Sequence, residues 1–577
     1  MAFSLDKIKN FFKRKKQFAW PISEHEMKLL ETAVKKIMLP SLNILNAFVK
    51  GGEYTIELEY LNTKTKTTEK KEFPLSIFYD ERKNGIPFKI ELKEYPSVSG
   101  VMHKESYGLT RKLKFRNQSK IYEVKSNSII DFKTVFPKLP QTLEGGFLNI
   151  RTINNKTYDN NYLRLIIQVK DNDMMYPSAI LDCEQNHIKF DNQNWDRQSS
   201  LMGLPFVSTK GMFINVRVKQ YTFHFYAIEA VNSYFIDSTD KIPFEEFKEI
   251  THRIRVAFGF LSGKYYKDTV FYLTSEQPDF NLIDNYAIEV EDPSIITNNQ
   301  IINSTFFYGH YEKQNEGQKN ILKKYHKPFP SAIFSQFCEK LYENPELLRS
   351  TEMVINAGSM RSPIQKGALY SVAIETLTEF LKEKNESVFK PISDKSLSKE
   401  IREKLLAELG KYSAKIDSRG FEILKKKVEN INSPTNADKL SKSFELYKID
   451  LSEKDLEALK HRNDYLHGRK PIESDVILEL DQKALHLHSL IGKLILKYVG
   501  YEGHYINLPS WNLLHNNNLQ LEEIEKIDFQ DISQILEKIN SKDFSNVEEI
   551  EVAKTKLLEF QKLFETAQEI DNLIQII

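Results

Sequence analysis

Arg462 and His467 lie five positions apart in the run Arg462-Asn463-Asp464-Tyr465-Leu466-His467-Gly468, between segments of helical periodicity. Cleaving an RNA phosphodiester without a metal needs a proton carrier between the ribose 2′-oxygen and the 5′ leaving oxygen. It also needs positive charge beside the crowded phosphorane. A histidine suits the first task near neutral pH, and an arginine, whose planar fork stays charged, suits the second. The products would carry a 2′,3′-cyclic phosphate and a 5′-hydroxyl. Lys460, His461, Arg469 and Lys470 flank the pair and make a small basic patch where RNA could bind.

The element that must position this pair is a short helix. Ser452 followed by Asp455 fits a capping box, which predicts a helix running from there toward His467. Gly468 can supply a left-handed cap, and Pro471 discourages continuation. His467 then sits near a helix carboxyl end, where the backbone dipole favours the imidazolium. Residues five apart on an ideal helix differ by about 140° around the axis, so the two side chains do not share a face by periodicity. The helix is distorted, or the long Arg462 side chain wraps round, or two subunits share one cleft; periodicity leaves the three open. Asn463, one turn before His467, could orient it or bind RNA, or make an ordinary cap contact, and Asp464 is three residues before it. Tyr465 could stack on a base or pack in the core. The structural alternatives are an Arg462 paired with an acidic neighbour and a helix-capping His467.

Around that helix the chain reads as α+β: a β-rich region, then an all-α bundle, then a helical tail. The expected divisions are 1–49 (an amino-terminal helical segment), 50–322 (β-rich), 323–505 (helical) and 506–577 (carboxy-terminal extension). Segments 54–61, 73–80 and 88–95 alternate apolar and polar residues between polar turns, the pattern of a half-buried antiparallel sheet. Segments 112–117, 162–171, 212–231 and 269–276 continue it, with one helix at about 243–258 closed by Gly259. Helices are expected at 331–344, 366–384, 399–416, 420–431 and 475–500, with INSPTNADKLS a polar loop, and further helices after Glu522 include about 547–575. On 366–384, Leu369, Ala373, Leu377, Phe380 and Leu381 form the apolar face.

At 577 residues and 41% apolar composition the chain should hold two to four globular domains. With 81 Lys and Arg against 80 Asp and Glu, any polyanion contact must be local. Lys112, Lys114 and Arg116 could attract phosphate or form the wet side of a sheet. Cys183 and Cys338 form no CxxC pair, and His486 and His488 point to different helix faces, so neither a disulfide scaffold nor a metal site is expected. His461, His504 and His515 are peripheral RNA contacts or ordinary structural residues. Dinucleotide, Walker A, HExxH, kinase and GxSxG motifs do not occur, and no cofactor is expected. The basic amino terminus lacks a signal-peptide core, and no uncharged apolar run reaches membrane-spanning length, so the expectation is a cytoplasmic protein.

The run Arg462 to Gly468 resembles the Arg-x4-His signature of the HEPN superfamily of helical ribonuclease domains, over about 330–500. The order of a β-rich half and then this helical half resembles the ApeA-type abortive-infection proteins. The resemblance implies Arg462 and His467 as the catalytic pair, with Asn463 the polar residue after the arginine and Gly468 the small residue after the histidine. It implies that Glu375 faces the cleft, although a solvated glutamate would explain that position too. It further implies a homodimer or higher oligomer with two motifs around one cleft, RNA, including transfer RNA, as substrate, and a toxin role in anti-phage defence. A phage-derived trigger would act on the β-rich region. A non-catalytic RNA-binding or regulatory protein of the same superfamily is the alternative.

Overall fold

The computed structural model describes residues 52–62, 67–78, 85–92, 112–117, 120–135, 141–154, 156–169, 174–182, 188–190, 193–195, 213–228, 233–280, 282–297, 299–302, 328–467, 474–509 and 574–576. The expected amino-terminal helix lies outside them, as do Arg469, Lys470, Cys183 and His515. The chain divides into two compact units. One comprises 1–259, 264–296 and 328–342, and the other 260–263, 297–327 and 343–577.

Among the described residues the first unit is built on one sheet of fourteen strands. In chain order they are β1 (Gly52–Asn62), β2 (Thr67–Ile77), β3 (Ile86–Leu92), β4 (Leu113–Arg116), β5 (Ile121–Val124), β6 (Ile129–Val135) and β7 (Gln141–Phe147). They continue with β8 (Asn149–Ile153), β9 (Tyr162–Gln168), β10 (Ile214–Val218), β11 (Tyr221–Ile228), β12 (Ser233–Ser238), β13 (Thr269–Ser275) and β14 (Asn285–Val290). Their spatial order is β10-β11-β12-β9-β13-β14-β8-β5-β4-β1-β2-β3-β7-β6. The expected stretch 212–231 is therefore two strands of a hairpin, turned at Lys219 and Gln220. The sheet curls on itself: Leu148, between β7 and β8, donates its N–H to Ser128 (2.8 Å), while its carbonyl accepts from Val290 (2.7 Å). Ile56, Phe88, Phe115, Phe147 and Ile288 meet in the interior. Alternation sets the wet side. On β4, Leu113 and Phe115 are buried while Lys114 and Arg116 are exposed, and Arg116 reaches across β1 to bond Glu72 on β2 (2.8 Å). Lys112 pairs with the buried Glu123.

Helix α1 (Phe244–Ser262) lies over the other part of the sheet, with Phe247 against Phe223 and Tyr272, and Phe258 against Phe225. Gly259 does not close it. A Cβ there would stand 2.8 Å from that of Tyr265, so this glycine permits a close approach, and the helix stops before Gly263, whose φ of +70° favours glycine and where a Cβ would crowd the Asn299 and Gln300 backbone at 3.1 Å. Helix α2 (Ser331–Glu343), expected to open the helical half, groups with the sheet over residues 331–342. Its Ser335 hydroxyl accepts the outward N–H of Arg217 on edge strand β10 (3.0 Å), and Tyr342 bonds Lys219 (3.0 Å).

The second unit is helical: α3 (Pro345–Gly358), α4 (Pro363–Lys384), α5 (Glu386–Phe389), α6 (Lys395–Gly410), α7 (Ser418–Glu429), α8 (Asn436–Leu446), α9 (Glu453–His467) and α10 (Ser474–Tyr498). Three of these were not expected: the single turn α5, and the longer α3 and α8. Pro345 stands at the first turn of α3, where its missing N–H costs nothing. The supposed loop 431–441 contains a capping box, Thr435 with Asp438, that starts α8. Helix α6 also stops at Gly410, short of the expected 416, because residues 411–416 turn. Helix α4 is the hub, packed against α3, α8, α9 and α10. It is buried on several sides, through Tyr370, Ala373, Ile374, Leu377 and Phe380, while Leu369 is only half-buried. Residues 574–576, inside an expected helix, instead form a strand paired with His504–Ile506. Among the described residues no helix is long and apolar enough to cross a membrane.

Candidate functional site

Helix α9 begins as its sequence dictates. The Ser452 hydroxyl accepts the Asp455 N–H (3.2 Å), and the Asp455 carboxylate accepts both the Ser452 N–H (3.1 Å) and hydroxyl (2.8 Å). The second oxygen of Asp455 meets His486 Nδ1 on α10 at 3.0 Å. Burial alone would raise the Asp455 carboxyl, but His486, Lys493 and Ser452 outweigh it and hold the pKa below the ordinary value. The cap thus fastens α9 to α10 as well as starting it.

From this cap the buried positions of α9 follow at helical spacing: Asp455, Ala458, Leu459, Arg462 and Tyr465. Arg462 therefore stands on the inward face, and only 8% of it is exposed. Its Nε donates to Glu375 Oε1 on α4 (3.2 Å), and its Nη1 donates to the Leu459 carbonyl (2.7 Å). Its own carbonyl accepts from the Ser371 hydroxyl (3.3 Å). The Nη2 end of the fork bonds no described residue. Glu375 remains 41% exposed at its side chain, so the counter-ion of the buried guanidinium faces solvent.

Tyr465 fixes the crossing of α9 and α4. A Cβ on Gly367 would overlap its ring, so glycine is what lets the two helices approach here. The Tyr465 hydroxyl donates to the Leu480 carbonyl (2.7 Å), and burial first of all pushes its pKa well up. A ring 4% exposed and wedged between three helices has no free face for a base. Lys366, one residue earlier on α4, pairs with Asp481 on α10 (2.8 Å).

The flanking charges are mostly spoken for. His461 Nδ1 meets Asp464 at 2.6 Å and its other ring nitrogen lies 3.9 Å from Glu457. Glu457 also receives Lys483 (2.9 Å), which pairs with Glu479 in turn. Lys460 is exposed with no ion partner among the described residues. The basic patch expected from the sequence therefore has two of its members, Lys460 and His461, in a setting that includes Glu457, Asp464 and Glu479. His467 ends α9, and its side chain, like that of Asn463, lies outside the described residues. The structure brings Arg462 to Glu375 and Asp464 to His461.

Sequence reasoning did not find Gly367, Ser371, the Lys366–Asp481 pair or the Asp455–His486 tie. Each needs a partner on another helix, and only the small residues at 367 and 371, four apart, hint at a close crossing. His488 is buried against Tyr370, with ring centroids 5.4 Å apart, and its Nδ1 has no hydrogen-bond partner. Burial, then the nearby Lys366 charge, lowers its pKa to about 3. His486 thus meets Asp455 while His488 meets Tyr370, and no group of three metal-binding side chains occurs among the described residues. No protein-family model, curated protein or solved structure matches the chain.

Proposed function

We propose that this chain is a metal-independent endoribonuclease of the HEPN kind, with Arg462 and His467 as its catalytic pair. In the reaction the ribose 2′-oxygen attacks the adjacent phosphorus and loses its proton to a base. The bond from phosphorus to the 5′-oxygen breaks, and that oxygen takes a proton from an acid. His467 carries these protons, alone or with its copy in a second subunit, and Arg462 holds the phosphorane oxygens. The observation that carries the reading is Arg462 itself: a buried guanidinium paired with a half-exposed carboxylate and with one end of its fork unbonded among the described residues, on a helix that ends at His467. An incoming phosphate can replace Glu375 there without exposing a bare buried charge.

The wider reading follows the resemblance: an abortive-infection toxin of the ApeA type, cytoplasmic, acting as a homodimer or larger assembly on cellular RNA such as transfer RNA. The β-rich unit would respond to a phage-derived trigger. A second reading, a non-catalytic RNA-binding protein, is favoured by the low exposure of Arg462 and its bond to the Leu459 carbonyl, which a structural arginine would also make. Incubating the purified chain with total cellular RNA in EDTA, with and without phage lysate, separates the two. The nuclease reading expects cleavage to cyclic-phosphate ends that is lost in both Arg462→Ala and His467→Ala while folding persists. Binding without cleavage under every condition would leave the second reading standing.

A further inference from the structure

Helices α6 and α7 form an antiparallel pair in which no residue is buried. The base of this arm is clamped by Asn432, whose amide accepts the Ile392 N–H (2.8 Å) and donates to the Ile392 carbonyl (3.0 Å). The two helices differ in how many of their cations are paired. On α6 and its end, Lys399, Lys404 and Lys411 each pair with a glutamate one turn away, while Arg402 has no ion pair among the described residues. On α7 and the turn before it, Lys415, Arg419, Lys425, Lys426 and Lys427 have no ion pair among the described residues. Asp417 does not neutralise them locally, because it caps the helix by accepting the Gly420 N–H (2.8 Å).

Helical spacing sorts these cations. Arg419, Ile423, Lys426 and Lys427 recur at i, i+4, i+7 and i+8 and so share one face, with Glu422, three residues after Arg419 and four before Lys426, at its edge; Arg419 and Lys426 stand about 10 Å apart along the axis. All five are exposed. At the tip, Tyr412 is 47% exposed with the Lys415 ammonium 5.9 Å from its ring centre. A row of uncommitted cations ending in an accessible aromatic ring is complementary to a polyanion that also carries flat bases. The half-exposed Leu397, Leu405 and Leu424 are what a two-helix arm without a third layer must show. A second copy of the same face would bring like charges together.

From this we infer that the α7 face of the arm binds the RNA backbone, with Tyr412 stacking on a base, and so delivers substrate to the unit that holds Arg462. The inference rests on the nuclease reading for its purpose, but its test does not. The full-length chain carrying His467→Ala, which cannot turn over under that reading, is titrated with a labelled single-stranded RNA at several salt concentrations. Adding Arg419→Ala, Lys426→Ala and Lys427→Ala together should weaken binding ten-fold or more near physiological salt. It should also flatten the slope of log affinity against log salt by about 2. Replacing Lys426 and Lys427 by arginine should restore both, and Tyr412→Ala should cost about five-fold with the slope unchanged.

Unchanged affinity and slope in the triple alanine variant, with its helical circular dichroism intact, overturns the inference, as does failure of the unsubstituted arm to bind RNA at all. Unchanged RNA binding together with a changed oligomer size would make this face an interface between copies instead. RNA binding through the arm without cleavage by the native chain refutes the nuclease reading and leaves this inference intact.

Discussion

Each unit buries an arginine against a carboxylate, and the two pairs are built to opposite ends. In the sheet, Arg164 on β9 is fully buried, and its fork meets Asp237 on β12 through Nε and Nη2, both at 2.8 Å. Tyr226 donates to the same carboxylate (2.7 Å), and Phe280 covers the guanidinium at 4.2 Å. In the helical unit, Arg462 has a single 3.2 Å bond to a carboxylate that is 41% exposed. In the first pair both partners are buried, at 0% and 9% side-chain exposure, so Asp237 is poorly placed for exchange. The second has an exchangeable partner. A buried charge becomes available to a ligand when its counter-ion, not the charge itself, faces water.

The sharpest way to break this contrast is to remove the counter-ions. Asp237→Ala removes the carboxylate that Arg164 meets in the sheet core and should lower unfolding stability by about 3–5 kcal/mol, read from urea denaturation. A loss below about 1 kcal/mol would mean that Arg164 finds water, and the distinction between closed and open pairs would fail. Next in size is Arg462→Ala. If the nuclease reading holds, RNA cleavage should fall about 10²–10³-fold with little change in melting temperature. Mere loss of fold would mark this arginine as structural.

Acid separates the two units further. The neutral form of His488 is the one the fold accepts, because burial holds its pKa at about 3 against 6.5 in the unfolded chain. Below pH 6.5 the unfolded state takes up a proton that the folded state refuses, so stability falls from there down to about pH 3. Between pH 7 and 5 the loss is about 2 kcal/mol, and His488→Leu should abolish it. In the sheet unit, the buried Glu123 would be raised by burial but is brought below its ordinary value by Lys112 and Arg151. Glu291 is likewise lowered by Arg255 against its burial. Those contributions persist until the pH drops below the usual carboxylate range. Calorimetry of the full chain at pH 7 and pH 5 should therefore show the helical transition moving first. The smallest effect is expected of Glu375→Gln. It keeps the shape and weakens the hold on Arg462, so it should lower KM for RNA a few-fold and cost under about 1 kcal/mol of stability. A raised KM would make Glu375 a substrate contact.

The order of a sheet and then helices was legible because periods of two and of 3.6 are local properties, and Ser452 with Asp455 announced α9 directly. Thr435 with Asp438 carries the same signal for α8, but the Ser-Pro-Thr-Asn run around it reads as a loop and hid it. Gly259 and Gly263 show a different limit. Either could end α1, and the choice depends on Tyr265, which forces the backbones close at 259. The fourteen-strand order could not be read at all, since β9 pairs with β12 and β13 across long loops. Within the candidate site, Arg462 stood out by residue type and Glu375 only through the family resemblance, whereas Gly367 acquires meaning only once Tyr465 lies on it.

The cover that α2 gives to strand β10 has a practical corollary. A fragment stopped near residue 322, where the texture of the sequence turns helical, would lose Ser335 and Tyr342 and present a naked strand able to recruit its neighbours into aggregates. Extending it through Tyr342 supplies the sheet's own guard, so solubility in dissected pieces of this protein should hinge on those twenty residues.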